Sequence, residues 1–242
     1  QLERAIRAYW GNAITKIDKK SDLYVYFYYQ GLNLLRPGGV FCLINSNSWL
    51  DVGYGASLQE FLLKNIAIQQ VIDNQARRSF KESDVNTIIV LLKRPKDGNW
   101  ETLKDNAPKF IAYRQPFESA VNAENLLLEE WADSVQSTKE FRVYPIRQGN
   151  LWLDGLEVPE EMEAPSLEMG TEHGKYIGGK WGGKYLRAPD IFFTILDKGK
   201  GKLMRLGDIA TVEAGCYSGI NEFFYLEEAE ALALGIEKDF LI

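Results

Sequence analysis

Amides and hydroxyls gather where an apolar run ends. Val40-Phe41-Cys42-Leu43-Ile44 gives way at once to Asn45-Ser46-Asn47-Ser48-Trp49, a set able to hydrogen-bond a flat polar ligand such as a nucleobase and to offer it an aromatic face. Asn47 and Ser48 serve equally well as turn and cap residues, and the sequence leaves both uses open. A second polar stretch, Gln75 to Asp84, carries Arg77, Arg78, Lys81 and a single aromatic, Phe80. Cations for phosphate and a ring for stacking make a nucleic-acid contact, although a loop phenylalanine also commonly folds back into its own core. The third stretch, Gly174 to Arg187, repeats a Gly-Lys-aromatic unit that ends at Tyr176, Trp181 and Tyr185. Lys175, Lys180, Lys184 and Arg187 can neutralise phosphate where glycine lets the backbone come close. The same composition suits a flexible hinge.

Other chemistry is missing. Gly53-Tyr54-Gly55 and Gly199-Lys200-Gly201 lack the third glycine and the preceding strand of a dinucleotide fingerprint, and no phosphate-binding P-loop is present. No carboxylate pair has diagnostic spacing. The one histidine, His173, and two distant cysteines, Cys42 and Cys216, cannot supply the four ligands of a structural zinc site or a disulfide framework. That cysteine usage points to a reducing, cytoplasmic setting. The sequence therefore nominates no catalytic residue and no metal ligand.

The elements that must position these residues read as alternating α and β. Ser21 to Leu35 is helical and apolar nearly all round, stopped by Pro37-Gly38-Gly39, so burial between layers is expected. Val40–Ile44 is a continuous apolar run of strand length, the pattern of a strand covered on both faces in a parallel sheet; Ile68–Asp73 reads as another short strand and Asn86–Leu92 as one more buried strand. Ala56–Asn65 is an amphipathic helix between the first two. Together they read as the second half of a doubly wound α/β domain ending near Arg94-Pro95. Beyond it, Lys109–Arg114 and Phe141–Ile146 read as strands, Ala120–Asp133 as a helix, and the acidic Val158–Pro165 as a linker. Ala188–Lys198 and Glu227–Leu234 read as helices, and Leu206–Glu213 and Glu222–Leu226 as strands. Three parts follow: 1–96, the α/β half-sheet; 97–170, a linking α+β region; and 171–242.

With 242 residues, 45% apolar and 26% charged, the chain has ordinary globular composition and is not disordered, collagenous or coiled coil. No apolar run approaches the roughly 18–20 residues of a membrane span. Gln1-Leu2-Glu3-Arg4 opens no signal peptide. The start without methionine and the end at Ile242 in mid-pattern read as a fragment of something longer. The net charge of −6 is uneven. Residues 1–100 carry 13 Lys/Arg against 9 Asp/Glu, or +4; 101–170 carry 6 against 14, or −8; 171–242 carry 9 against 11, or −2. An acidic middle between two more basic flanks suits either a binding surface built from both ends or a solvated linker.

Several runs taken together resemble the adenine-specific DNA methyltransferases of type II restriction–modification systems. They are Ser21-Asp22-Leu23-Tyr24-Val25-Tyr26-Phe27, Gly31-Leu32-Asn33-Leu34-Leu35-Arg36-Pro37-Gly38-Gly39-Val40 and Ile44-Asn45-Ser46-Asn47-Ser48-Trp49-Leu50. The form most similar is the large one that joins methyltransferase and target-recognition domains on one chain. Lys184-Tyr185-Leu186-Arg187-Ala188-Pro189-Asp190-Ile191-Phe192-Phe193, Leu206-Gly207-Asp208-Ile209-Ala210 and Gly215 to Tyr225 resemble the entry into a TaqI-like target-recognition domain. The resemblance implies a class I, Rossmann-like methyltransferase sheet over 1–96 and the start of the recognition domain over 171–242. It also implies S-adenosylmethionine as cofactor and double-stranded DNA as partner. By the same resemblance Phe80, ahead of Val85-Asn86-Thr87-Ile88-Ile89-Val90, packs against the target adenine once that base is flipped out, with Asn47 beside it.

The departures from that family are as informative. Its cofactor-binding glycine motif is absent, and so is its Asn/Asp-Pro-Pro-Tyr/Phe tetrad, since no two of the eight prolines are adjacent. The expectation is a piece of an N6-adenine methyltransferase that binds cofactor poorly and transfers no methyl group alone. The alternative is a non-catalytic DNA-binding or specificity module on the same scaffold. A half-sheet without its central strands leaves an open edge, across which self-association is expected.

Overall fold

The computed structural model describes residues 2–14, 17–77, 80, 85–157, 166–167, 174–204, 206, 209–211 and 225–236. It divides into two units, Gln1–Pro189 and Asp190–Ile242. The first unit holds helices α1 (Leu2–Trp10), α2 (Leu23–Leu34), α3 (Gly55–Asn65), α4 (Trp100–Leu103), α5 (Phe117–Ala120), α6 (Ala123–Trp131) and α7 (Gln148–Asp154). Its strands are β1 (Val40–Ser46), β2 (Ala67–Asn74), β3 (Thr87–Lys93), β4 (Lys109–Tyr113), β5 (Gln136–Ser137), β6 (Phe141–Pro145), β7 (Leu156–Glu157) and β8 (Lys175–Tyr176). A π-helical turn, Gly182–Arg187, closes it. In the second unit the described elements are α8 (Asp190–Lys198), preceded by Pro189, and α9 (Glu228–Ala233). The linker expected at Val158–Pro165 and most of the strands expected near Leu206–Glu213 and Glu222–Leu226 fall outside the described residues, as do His173 and Cys216.

The mixed α/β class expected from the sequence is the one observed. Six strands form one sheet in the order β1-β3-β2-β4-β6-β5, and β7 pairs with β8 apart from it. β3 lies antiparallel between β1 and β2, β2 and β4 are parallel, and β6 is antiparallel to both β4 and β5. β3 therefore runs against both strands beside it, because it returns directly after β2. Strands from residues 109–145 extend the same sheet as those from residues 40–93.

Two expectations about burial need correction. β1 is not covered on both faces: Val40, Cys42 and Ile44 are exposed while Asn45 is buried. Nor is α2 buried all round. Val25, Tyr28, Tyr29 and Leu32 are inside, but Leu23, Phe27 and Leu34 are exposed. Continuous apolar runs do not reveal which face finds a neighbour. The N-cap of α2 is Asp22, whose carboxylate accepts from Leu23 N.

Aromatic rings make up much of the core on the face of the sheet covered by α1, α2 and α3. Phe61 packs edge-on to Trp10 and Tyr29, Trp49 to Tyr28 and Trp181, and Phe110 to Trp181, with ring centroids 4.7–5.9 Å apart. The other face, over β4 and β6, is a smaller cluster of Ile111, Tyr113, Ala120, Ala132, Phe141 and Val143. There α6 sits with its polarity inverted. Glu129 is buried and accepts a hydrogen bond from the Tyr113 hydroxyl, while Leu126, Leu127, Leu128 and Trp131 face outward.

The polar centre of the first unit is Gln59 on α3, fully buried. Its Nε2 donates to the carbonyls of Trp49 (3.0 Å), Leu50 (3.1 Å) and Gly179 (3.2 Å), and its Oε1 accepts from Gly179 N (2.8 Å) and the Tyr176 hydroxyl (3.0 Å). Replacing it by leucine strands two donors without partners, at about 1–3 kcal/mol each. Gln59→Leu is expected to lower unfolding free energy by roughly 2–5 kcal/mol, read from the urea midpoint.

Glu129 makes a second prediction, in pH. Burial raises its carboxyl above the ordinary 4.5, and the Tyr113 hydrogen bond and the Lys109 charge pull it back only in part. The folded state therefore takes up a proton that the unfolded chain does not. That contribution to stability is complete below pH 4.5 and is lost as pH rises through the elevated value. Glu129→Gln removes this dependence, so the wild type should gain stability relative to the variant as pH falls from neutral toward 4.5.

Candidate functional site

At the carboxyl ends of β1 and β2 the sheet opens into a cleft of about 460 Å³ lined by Asn47, Asp73, Asn74, Gln75, Ala76, Arg77, Asn86 and Arg187. This is where open α/β sheets bind ligands, and the volume lies within the range of small-molecule sites. Asn47 N donates to Asn86 O at 3.0 Å, joining the loop after β1 to the start of β3. The loop after β2 is shaped by Asn74, whose Oδ1 accepts from the amides of Ala76 (3.0 Å) and Arg77 (3.1 Å), an Asx turn. Gln75 holds the loop down, its backbone N–H donating to Tyr113 O at 2.9 Å and its Nε2 to Leu186 O at 2.7 Å.

The far wall is the turn Gly182–Arg187. The aromatic residues of this turn and of the segment before it point inward: Trp181 and Tyr185 are buried against Phe110, and Tyr176 stacks on Trp152 at 5.0 Å. Buried Arg142 receives the end of the turn, donating to the carbonyls of Tyr185 (3.2 Å), Leu186 (3.0 Å) and Ala188 (2.6 Å). Asp51, beyond the Asn47 loop, fastens the other side. Its Oδ1 accepts from Gly183 N (2.8 Å), its Oδ2 from Arg187 (2.5 Å), and its carbonyl from Lys180 Nζ. At Gly182 a Cβ would lie 2.4 Å from Asp51 Oδ2 and 2.8 Å from Arg187 Nη1, so any side chain there would displace this pair. The glycines of this segment thus admit the protein's own side chains.

Asp73, only 7% exposed, is the buried charge of the cleft. Desolvation pushes its carboxyl above the usual carboxylate range, and the Arg187 charge and the Asn74 amide pull it back. Among the described residues no group of three or more His, Cys, Asp or Glu is placed to hold a metal ion.

Of the residues nominated from sequence, the fold brings Asn47, Arg77 and Arg187 into one cleft. Arg77 is exposed, with Glu118 Oε1 3.5 Å away. Phe80 is 51% exposed and so is not folded into the core. Arg78 and Lys81 lie outside the described residues. Lys184 pairs with Asp154 at 2.6 Å, Lys180 is held by Asp51, and Lys175 is exposed on β8. Sequence reasoning passed over Asp73, Asn86 and Asp51. The signal was available for Asp73, which ends an apolar strand as Asn45-Ser46-Asn47 ends another.

Residues 2–80 match the family described as Eco57I restriction-modification methylase. Among solved structures, the type IIG restriction endonuclease BpuSI is similar over 62% of this chain and 17% of its own, at 13% identity and a TM-score of 0.47. A modification subunit of a putative type I restriction enzyme from Vibrio vulnificus YJ016 is similar over 64% and 31%, at 14% identity and 0.41. The DrdV–DNA complex is similar over 67% and 16%, at 16% identity and 0.35. The chain thus spans less than a third of the length of each of these proteins. No curated protein matches it.

The Asp51 junction is testable. Both side chains of the Asp51–Arg187 pair are partly exposed (24% and 43%), so the ion pair adds under about 1 kcal/mol, and the Gly183 bond a similar amount. Asp51→Ala should lower stability by roughly 1–2 kcal/mol and speed hydrogen exchange at the Gly183 amide. Lys175→Ala should leave both unchanged.

Proposed function

We propose that this chain is part of a site-specific DNA methyltransferase of a restriction–modification system, one that moves a methyl group from S-adenosylmethionine to N6 of adenine in double-stranded DNA. The observation that carries this assignment is the cleft at the carboxyl ends of β1 and β2. It is base-sized, lined by amides and a carboxylate, and flanked by arginines, and the segment matching the restriction–modification methylase family (2–80) supplies most of its wall. Phe80, three residues beyond Arg77 in sequence, has a half-exposed ring available to stack on an extruded base. Extrusion costs a few kcal/mol, part of which a stacked ring returns.

S-adenosylmethionine supplies the methyl group in such a reaction, but the described residues do not fit it. The Gly53–Gly55 turn after β1 offers no open cradle, because a Cβ at Gly55 would lie 1.9 Å from Trp49 O. The contribution of these residues is to hold the base and the DNA. Lys175 is exposed for phosphate and Arg77 reaches it by giving up one exposed contact with Glu118, whereas Lys180, Lys184 and Arg187 reach it only by letting go of Asp51 and Asp154; Arg78 and Lys81 are assigned to the same role from sequence.

In the complete enzyme, Phe80→Ala should reduce transfer of tritiated methyl groups to DNA by about 5- to 100-fold, the range given by loss of one stacked base. It should also lower 2-aminopurine fluorescence at the target position while leaving duplex affinity nearly unchanged. Unaltered transfer and fluorescence would remove the stacking role.

A further inference from the structure

Asp73 is a largely buried acceptor with a single donor. The residue is only 7% exposed and lines the cleft, and among the described residues its carboxylate meets no donor beyond the adjacent Asn74 backbone. The nearest cation, Arg187, is spent on Asp51 at 2.5 Å. A buried acceptor in that condition favours any ligand that brings an N–H to it.

The sheet register shows what else faces the same ligand. Ile88 on β3 is paired with Asp73 on one side and Asn45 on the other, so these three side chains share a face. Just beyond the paired residues, Asn86 and Asn47 also line the cleft, joined by the Asn47 N to Asn86 O bond. β2 and β3 are adjacent, about 4.8 Å apart, so Asp73 and the Asn86 amide can both address one edge of a planar ring. A free phosphate is disfavoured beside the Asp73 carboxylate, and the exposed Arg77 at the rim suits the sugar–phosphate side of a nucleotide instead.

We propose that Asp73 reads the amino group of a purine in this cleft: its carboxylate accepts from the exocyclic amine while the amide of Asn86 donates to the neighbouring ring nitrogen. The role is one of recognition, and it rests on the base-handling function proposed above.

The test is binding of adenosine and of purine riboside, which lacks the amine, to the 242-residue chain by ligand-observed NMR at millimolar concentrations. Wild type should prefer adenosine by about tenfold, the scale of one buried hydrogen bond. Asp73→Ala should abolish that preference while leaving purine riboside affinity within about threefold. Asp73→Asn keeps the shape and a neutral acceptor, and should retain an intermediate preference; it carries the comparison if the alanine variant is unfolded by circular dichroism. Equal binding of the two nucleosides to wild type, or a full preference in every folded variant, overturns the role of Asp73 and leaves base binding in place. Binding of neither nucleoside overturns the role and the base-handling assignment together.

Discussion

A single buried amide joins parts of the chain 120 residues apart. Gln59 fills both its donor and its acceptor capacity on backbone and hydroxyl groups from the loop after β1 and from residues 176–179. Buried polar groups are tolerated only when satisfied, so this side chain fixes where the late segment lies against α3. Trp181 and Tyr185 then enter the core beside Phe110, and Arg187 is brought to the cleft. Gln148 does the same at the other end of the sheet. It donates to Leu63 O and Ile66 O and accepts from Ile68 N and the Asn106 amide.

Around that frame, packing and chemistry divide the Gly-Lys-aromatic segment between them. Rings go inward, glycines admit neighbouring side chains, and two of the three lysines satisfy carbonyl or carboxylate oxygens on the loops they touch. What remains for a ligand is a row of polar groups lining the open end of the sheet: the amides of Asn47 and Asn86, the Asp73 carboxylate and the exposed Arg77 guanidinium. A structural lock thus stands directly beside a polar opening, and Arg187 belongs to both.

The α/β alternation and the first three strands are legible in the sequence because each is a short apolar run bounded by glycine, proline or asparagine. Pairing order is not, since β3 reads as one more buried strand whether it lies at an edge or between two others. Helix polarity is misleading at α6, where the leucines suggest an inward face and the fold turns Glu129 inward to meet Tyr113. The continuous helix expected over Ala120–Asp133 is broken at Asn122, whose side chain caps α6 by accepting from Asn125 N. At the candidate site, Asn47 and Arg77 are visible because they cluster with other polar residues. Asp73 is a lone acid at a strand end, and Asn86 resembles ordinary strand punctuation; only the register places them side by side.

The long reach of Gln59 also sets an order of events during synthesis. β1, α3, β2 and β3 all lie within residues 40–93 and can meet as soon as that stretch leaves the ribosome. Until Gly179 emerges, however, the Gln59 amide lacks its most distant partner and the slot between Trp49 and Phe110 has no Trp181 to fill it. A growing chain that has emerged only as far as about residue 100 therefore carries an early sheet with an exposed aromatic cavity, the kind of apolar surface that makes such intermediates prone to aggregate. The last residues of the first unit are what turn that intermediate into a finished fold.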